Sequence, residues 1–189
     1  MELDPSGGGN YTDMGVSQLL SVPYALFAQT SGNSSQTGFY SIGQQTQGGV
    51  VFWIDSTNQH GLVAAVSDQA SSVTWYDTAY ATTNAVRDGL YAGKSNTDHI
   101  TINQGAGNYA AQVCAIYQGG GYGDWYLPST SELNLLYLQS NAVGGFSAGI
   151  YWSSTEVGNN FAGTISFVNG ASAQGDKSGA NNVRAIRAF

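Results

Sequence analysis

Residues 121–138 read Gly-Tyr-Gly-Asp-Trp-Tyr-Leu-Pro-Ser-Thr-Ser-Glu-Leu-Asn-Leu-Leu-Tyr-Leu, and they give the clearest local signals in this 189-residue chain. A glycine-rich loop leads into a short aromatic strand at residues 125–127, which the following proline ends because it has no N–H for a ladder. Ser129 or Thr130 can cap a helix, and Glu132 then lies in the first turn, where a carboxylate suits the positive end of the helix dipole. Leucines at helical spacing give this helix one apolar face. We therefore predict a strand–turn–helix corner of a hydrophobic core.

The composition favours an extracellular or virion protein over a cytosolic enzyme. Charged residues make up 9% of the chain, against about 25% in an average domain. Its 26 glycines are about twice the usual share. Serine, threonine, asparagine and glutamine must therefore supply the polar surface. The net charge of −7 repels nucleic acid and anionic lipid, and no cluster of Lys or Arg opposes it, so we expect no nucleic-acid partner.

Cysteine and hydropathy patterns add little about location. The single Cys114 lies in an alanine-rich helical segment and is expected to be a buried thiol, so no intrachain disulfide can form. No apolar run is long enough to span a bilayer, and we expect no membrane insertion. The N-terminus lacks the pattern of a signal peptide, so we expect any targeting signal to lie upstream of Met1.

Two parts of the chain differ in character. Residues 1–38 combine a flexible glycine run, an apolar cluster between Leu19 and Phe27, and a Ser/Gly/Asn linker over residues 30–38. This apolar cluster is too short to bury itself, so it must dock on the main domain or on copies of itself. We favour copies of itself, as the stalk or neck of a multichain protein, and assign residues 39–189 to the main domain.

The main domain reads as α+β. Strands are predicted at both ends and two to three helices between them, so the terminal strands should lie close together. The predicted elements are a hairpin (48–55 with 61–66), helices at 80–91, 108–118 and after 129, a polar loop at 94–100, and strands at 151–154, 161–167 and 183–189. Residues 169–182 read as a long polar loop or a frayed hairpin.

Several motifs, in this order and spacing, resemble the C-terminal domain of the Legionella collagen-like adhesin (Lcl) family, which extends over bacterial surface and phage tail-fibre-like proteins. They are Gly-Gly-Val-Val-Phe-Trp-Ile-Asp at 48–55 with His-Gly-Leu at 60–62, Gly-Ala-Gly-Asn-Tyr-Ala at 105–110, Asp-Trp-Tyr-Leu-Pro-Ser at 124–129 with Glu-Leu-Asn-Leu-Leu at 132–136, Tyr-Trp-Ser-Ser at 151–154, and Val-Arg-Ala-Ile-Arg at 183–187.

The resemblance covers residues 40–189 and implies a C-type-lectin-like fold, a homotrimer on a fibrous stalk, and adhesion through cell-surface glycans, with sulfated glycosaminoglycans as the known theme. It also implies an extracellular location, on a cell surface or a virion tail fibre. Residues 17–28 resemble a segment often found before such domains, which supports the stalk.

Basic residues are too few for the sulfated ligands that this resemblance implies. Sulfate groups need Lys or Arg for neutralisation. The chain has twelve acidic residues and only five basic ones, which are Arg87, Lys94, Lys177, Arg184 and Arg187. A neutral or weakly charged glycan, or a protein receptor, therefore fits this surface better.

Catalytic constellations are not evident, and we predict that the protein is not an enzyme. His60 and His99 lie in a turn and a loop outside any nucleophile motif, and two histidines with one buried cysteine are a poor zinc set. A formylglycine-generating-enzyme-like catalyst, which shares the implied fold, relies on cysteine chemistry that Cys114 does not offer. The oxygen-rich loops at residues 94–98 and 169–182 hold a single acid each, so calcium stays open as an alternative that the sequence does not support. We expect no cofactor.

Polar and aromatic side chains on loops are the candidates for ligand binding, since sugars are held by aromatic faces, amides and hydroxyls. The predicted ligand-binding residues are Tyr122, Asn159, Asn160, Gln174, Asp176, Lys177 and Asn181. The alternative is that these are solvated turns. The asparagine-rich final third also resembles the variable region of diversity-generating-retroelement targets. Our function hypothesis is a receptor-binding tip of a trimeric fibre; the alternative is a non-binding structural cap or trimerisation domain.

Overall fold

The computed structural model describes residues 39–189, so the predicted stalk and linker lie outside the described residues. A 3₁₀ turn at Gly119–Gly121 precedes the proline corner. The regular elements are β1 Gln45–Thr46, β2 Gly49–Ile54, β3 Gly61–Ala64, β4 Ala70–Val73, α1 Ala92–Gln104, α2 Ala110–Ala115, α3 Thr130–Leu138, α4 Ser140–Val143, β5 Ile150–Glu156, β6 Phe161–Ser166, β7 Ser172–Asp176, β8 Asn181–Val183 and β9 Ile186–Ala188.

The strands form two sheets. One has the order β1-β2-β3-β9 and is antiparallel, and the other has the order β4-β8-β5-β6-β7 with a parallel β5–β8 pair. The predicted β2–β3 hairpin is present, with Val50 opposite Ala64. Strand β9 pairs with β3, which places Arg187 opposite Val63. The α+β class and the pairing of the terminal strands are confirmed, and the C-type-lectin-like fold stays a prediction.

The corner at residues 125–138 joins two hydrophobic clusters. Trp125 and Leu127 pack in one cluster and Tyr126 packs in the other, because successive side chains of an extended segment point to opposite sides. The predicted strand is reduced to one bridge, in which Tyr126 and Ile186 exchange two backbone hydrogen bonds. Helix α3 begins as predicted, and its cap Ser129 forms a capping box with Glu132.

The helix predicted over residues 80–91 is wrong, and the predicted polar loop at 94–100 is instead part of α1. Residues 83–88 are held in a non-helical path by side chains from elsewhere: the Asn96 amide, for example, accepts from the Arg87 N–H and donates to its carbonyl. Helix α1 buries Gly93, Asn96, Thr97 and Ile100. Because most of its buried face is polar or small, α1 lacks the apolar stripe that marks a helix in sequence.

The last predicted strand is also divided. Residues 183–189 form the end of β8 and all of β9 in different sheets, with Arg184 between them. The buried Arg184 guanidinium donates to Asp68 and to the carbonyls of Ala65, Gly144 and Gly145 at this crossing. The predicted loop at 169–182 contains β7 and the start of β8, and α2 is shorter than predicted.

Within residues 39–189, no helix combines the length and the apolar character that crossing a bilayer requires.

Candidate functional site

A buried ion pair organises one end of the five-stranded sheet. The Lys177 ammonium lies 2.6 Å from Glu156 Oε1, and neither side chain has any exposed surface. Lys177 Nζ also donates to the carbonyls of Ala81 and Asn159, each at 2.9 Å, and lies 4.4 Å from the centroid of the Trp75 ring. All three ammonium donors therefore have acceptors, which a buried charge needs.

Glu156 ties a second loop to the same point. Its carboxylate accepts from the backbone N–H of Thr83 at 2.9 Å and of Asn84 at 2.9 Å. Because Lys177 reaches the carbonyls of residues 81 and 159, the pair joins three segments: 81–84, 159–160 and 176–177. Their relative positions are fixed by contacts inside the protein.

Exposed and half-exposed side chains from these segments and the chain just before them form one polar and aromatic surface, which we name the amide–tyrosine face: Tyr76, Tyr80, Thr82, Asn159, Asn160 and Asp176. The Tyr80 hydroxyl donates to Asp176 Oδ1 at 2.6 Å, and the rings of Tyr76 and Tyr80 lie 5.0 Å apart. Asn159 Nδ2 donates to Asn160 Oδ1 at 2.7 Å.

Asp176 is the charged group of this face. Its Oδ1 accepts from the Ser178 hydroxyl at 2.7 Å and from the Ser178 N–H at 2.9 Å. The bond from the Ser178 hydroxyl, then the bond from Tyr80 and then the Ser178 N–H lower the pKa of the Asp176 carboxyl. The bond to Asp176 in turn raises the pKa of the Tyr80 hydroxyl. At neutral pH Asp176 is therefore ionised and Tyr80 protonated. No described residue donates to Asp176 Oδ2.

Other predicted site residues lie in different surroundings. Lys177 corrects our expectation of a surface side chain, because it is wholly buried under the face. Gln174 lies on β7 two residues before Asp176, so strand alternation places both side chains on one side of the sheet. Asn181 is half-buried at the start of β8.

Tyr122 lies apart from the face, beside the first sheet. The Arg187 guanidinium stacks on its ring, 3.7 Å from the centroid, and its hydroxyl donates to Gln47 at 3.3 Å. The structure thus brings together Asn159, Asn160 and Asp176, with Lys177 beneath them, and leaves Tyr122 elsewhere.

The sequence reasoning missed Tyr76, Tyr80 and Thr82 as parts of the site. The helix predicted over residues 80–91 gives Tyr80 and Thr82 a structural role, and Tyr76 lies outside every predicted element. The alternation of tyrosines with Asp, Thr and Ala over residues 76–82 resembles an aromatic surface loop and could have identified them.

Almost every basic side chain is already paired. Arg187 pairs with Asp124 at one end of the first sheet; the other pairs are Lys94 with Asp98, Lys177 with Glu156 and Arg184 with Asp68. Only Arg87 forms no ion pair within residues 39–189. The described surface therefore offers little positive charge to a polyanion.

Within residues 39–189, titratable groups outside the face give no recognisable metal or nucleophile site. The described part of the chain contains no group of three or more His, Cys, Asp or Glu side chains that could hold a metal ion. Burial raises the pKa of the Cys114 thiol well above its usual value, so this cysteine is a neutral core residue. His99 Nδ1 lies 3.1 Å from the carbonyl of Asn84, on the loop before α1.

Comparison with known proteins gives a family and a fold neighbour. The model of the Lcl C-terminal domain family matches residues 64–187. The chain is also similar to a solved structure, a fimbrial protein from Bacteroides ovatus ATCC 8483, with a TM-score of 0.51 and 15% identity over 75% of this chain. The chain covers 44% of that protein, and the likeness extends to the fold alone. No curated protein matches the chain by sequence.

Proposed function

Because the chain belongs to the Lcl C-terminal domain family, we propose that it is a surface adhesin-type domain that recognises a cell-surface glycan through the amide–tyrosine face. The observation that carries this proposal is the convergence of exposed amides and tyrosines from three segments over one buried ion pair. The fold likeness to a fimbrial protein supports a role at a surface.

The chemistry of the face suits a saccharide. Tyrosine rings stack on the apolar faces of sugar rings, and amide, hydroxyl and carboxylate groups bond to sugar hydroxyls. The buried pair holds the loops in place before binding, so less conformational entropy is lost when the ligand arrives. Neutral glycans are favoured over sulfated ones, because four of the five basic side chains are paired with acids.

A glycan array with the 189-residue chain tests this proposal. We expect binding to neutral glycans and weak or no signal for heparin-like polymers. An absence of binding to neutral, acidic and amino-bearing glycans would instead favour a structural cap of a fibre. Strong binding to sulfated polymers would contradict the choice of ligand class.

We further propose a homotrimer at the tip of a fibre, with residues 1–38 as its neck. The support is the apolar cluster between Leu19 and Phe27, which is too short to form a core of its own. Sedimentation of the chain with and without residues 1–38 tests the neck. A trimer that dissociates on truncation is expected, and a monomer in both forms would contradict the proposal.

A further inference from the structure

We propose that the amide–tyrosine face selects a saccharide with a free ammonium group, which binds at Asp176 beside the tyrosine rings of Tyr76 and Tyr80. This inference rests on the proposed function and names the ligand class of the same site. A protonated amino sugar supplies one cation and several hydroxyls on a single ring.

The carboxylate of Asp176 has one oxygen available for such a ligand. Ser178 and Tyr80 donate to Oδ1 alone, which orients the carboxylate and leaves Oδ2 without a donor among the described residues. Asp176 is exposed at the end of β7, so a ligand can reach it without any movement of the core. An ammonium at Oδ2 would form a charge-assisted hydrogen bond.

Two aromatic rings adjoin this carboxylate. Tyr80 contacts Asp176 through its hydroxyl, and the Tyr76 ring packs against the Tyr80 ring at a tilted angle of 56°. Cations are attracted to the faces of such rings, and aromatic residues recur in sites that recognise ammonium ligands. The rings also supply the stacking surface that a hexose requires.

The neighbouring lysine does not compete with a cationic ligand at Asp176. The lysine beside Asp176 in sequence, Lys177, directs its ammonium inward to Glu156 and to the face of Trp75. Its charge is compensated by Glu156 below the surface, which leaves Asp176 as the charged side chain that this part of the face exposes. The net charge of −7 acts in the same direction and should accelerate the arrival of a cationic ligand.

The test compares two ligands that differ at one group. Calorimetric titration of the 189-residue chain with a glucosamine tetramer and with its N-acetylated counterpart, at slightly acidic pH where the amine is protonated, isolates the ammonium. We expect the free amine to bind about tenfold more tightly. Asp176→Asn should abolish that difference, while Asp98→Asn, which removes the same charge from α1, should preserve it.

Each failure has a distinct meaning. Equal affinity of the wild type for the two tetramers would overturn the ammonium inference. An equal loss of the preference for the free amine in Asp176→Asn and Asp98→Asn would also overturn it, because that result would reveal a general attraction of cations to an acidic chain. The proposed function would survive both results if Asn160→Ala still abolished binding to a neutral glycan. Absence of binding to any saccharide would remove both proposals.

Discussion

Two buried glutamates hold this domain together in different ways. Glu132, in the first turn of α3, accepts hydrogen bonds from neutral donors alone: the N–H groups of Tyr91, Gly93 and Ser129, and the hydroxyl of Tyr126. Glu156, at the end of β5, accepts two backbone N–H bonds and in addition pairs with Lys177. Both carboxylates anchor a loop that precedes α1.

The difference lies in the cation. Without one, desolvation dominates at Glu132 and raises the pKa of its carboxyl, although its donors favour the ionised form. At Glu156 the lysine compensates the charge and reaches two further carbonyls, so a third segment joins the anchor. The first arrangement closes a corner of the core, and the second supports an exposed face. We infer that the ion pair serves to position loops for binding.

Lys177→Met should have the largest effect on stability, since it leaves the Glu156 carboxylate buried without its cation. We expect a loss of about 3–5 kcal/mol in the free energy of unfolding, measured by urea denaturation. Lys94→Met, at an exposed pair with half of each side chain accessible, is the matched control and should cost less than about 1 kcal/mol.

If Lys177→Met fails to fold, Lys177→Met/Glu156→Gln provides the measurement. A neutral amide removes the uncompensated charge and still offers a carbonyl oxygen to Thr83 and Asn84, so the double variant should be more stable than the single one. Equal losses in Lys177→Met and Lys94→Met would contradict the role assigned to the buried pair.

Glu132→Gln should have the next largest effect. The amide NH₂ of glutamine replaces one carboxylate oxygen, so at least one buried N–H of the corner loses its acceptor in either orientation of the amide. An unsatisfied buried donor costs about 1–3 kcal/mol. Denaturation at neutral pH measures it, and Gln139→Glu, a change of similar size at the other end of α3, is the control. Unchanged stability would mean that the corner does not depend on this carboxylate.

The pH dependence of the free energy of unfolding tests the environment of Glu132. The folded-state pKa of Glu132 is raised, so the folded protein binds this proton more tightly than the unfolded chain does. Wild-type stability should therefore rise relative to Glu132→Gln as the pH falls from neutral towards the ordinary glutamate range, about 4.3. The other titrating groups are common to both proteins, so their contributions cancel in the difference between the two free energies of unfolding. If the wild type instead loses stability relative to Glu132→Gln as the pH falls, the raised pKa of Glu132 is contradicted.

The smallest effect is expected at the surface. Tyr80→Phe removes one exposed hydrogen bond, so the melting temperature should not change measurably, but the lowered pKa of Asp176 should rise towards its usual value. Ser178→Ala should raise that pKa more, because the Ser178 hydroxyl is the largest cause of the shift. Titration of the Asp176 carboxyl by NMR measures both, and an unchanged value in both variants would contradict the described contacts.

Local signals predicted the parts of the fold that depend on neighbours in sequence. The hairpin of β2 and β3 follows from two β-branched and aromatic runs joined by a polar turn, and the capped start of α3 follows from Pro128 and the Ser129–Glu132 spacing. Helix α1 could not be predicted in this way, because Asn96 and Thr97 are buried against partners outside the helix: Asn96 bonds to Arg87, nine residues earlier, and Thr97 to Leu127, 30 residues later.

The candidate site also contains residues that local sequence predicts and residues that depend on distant contacts. Asn159, Asn160 and Asp176 were predicted because polar residues near glycine favour exposed turns. The contact between Tyr80 and Asp176 spans 96 residues, and the burial of Lys177 depends on Glu156, 21 residues away. Neither the Tyr80–Asp176 contact nor the burial of Lys177 is indicated by the residues next to them in sequence. A lysine between Asp and Ser reads as a surface residue until its partner is known.

The affinity for the neutral glycan that binds most tightly on the array tests most directly the claim that the amide–tyrosine face recognises glycans. Titration of that glycan into the wild type, Asn160→Ala and Asn103→Ala compares the amide–tyrosine face with an exposed asparagine of α1. We predict a loss of about tenfold or more in Asn160→Ala and unchanged affinity in Asn103→Ala. Equal affinity in all three proteins would contradict the assignment of glycan recognition to this face.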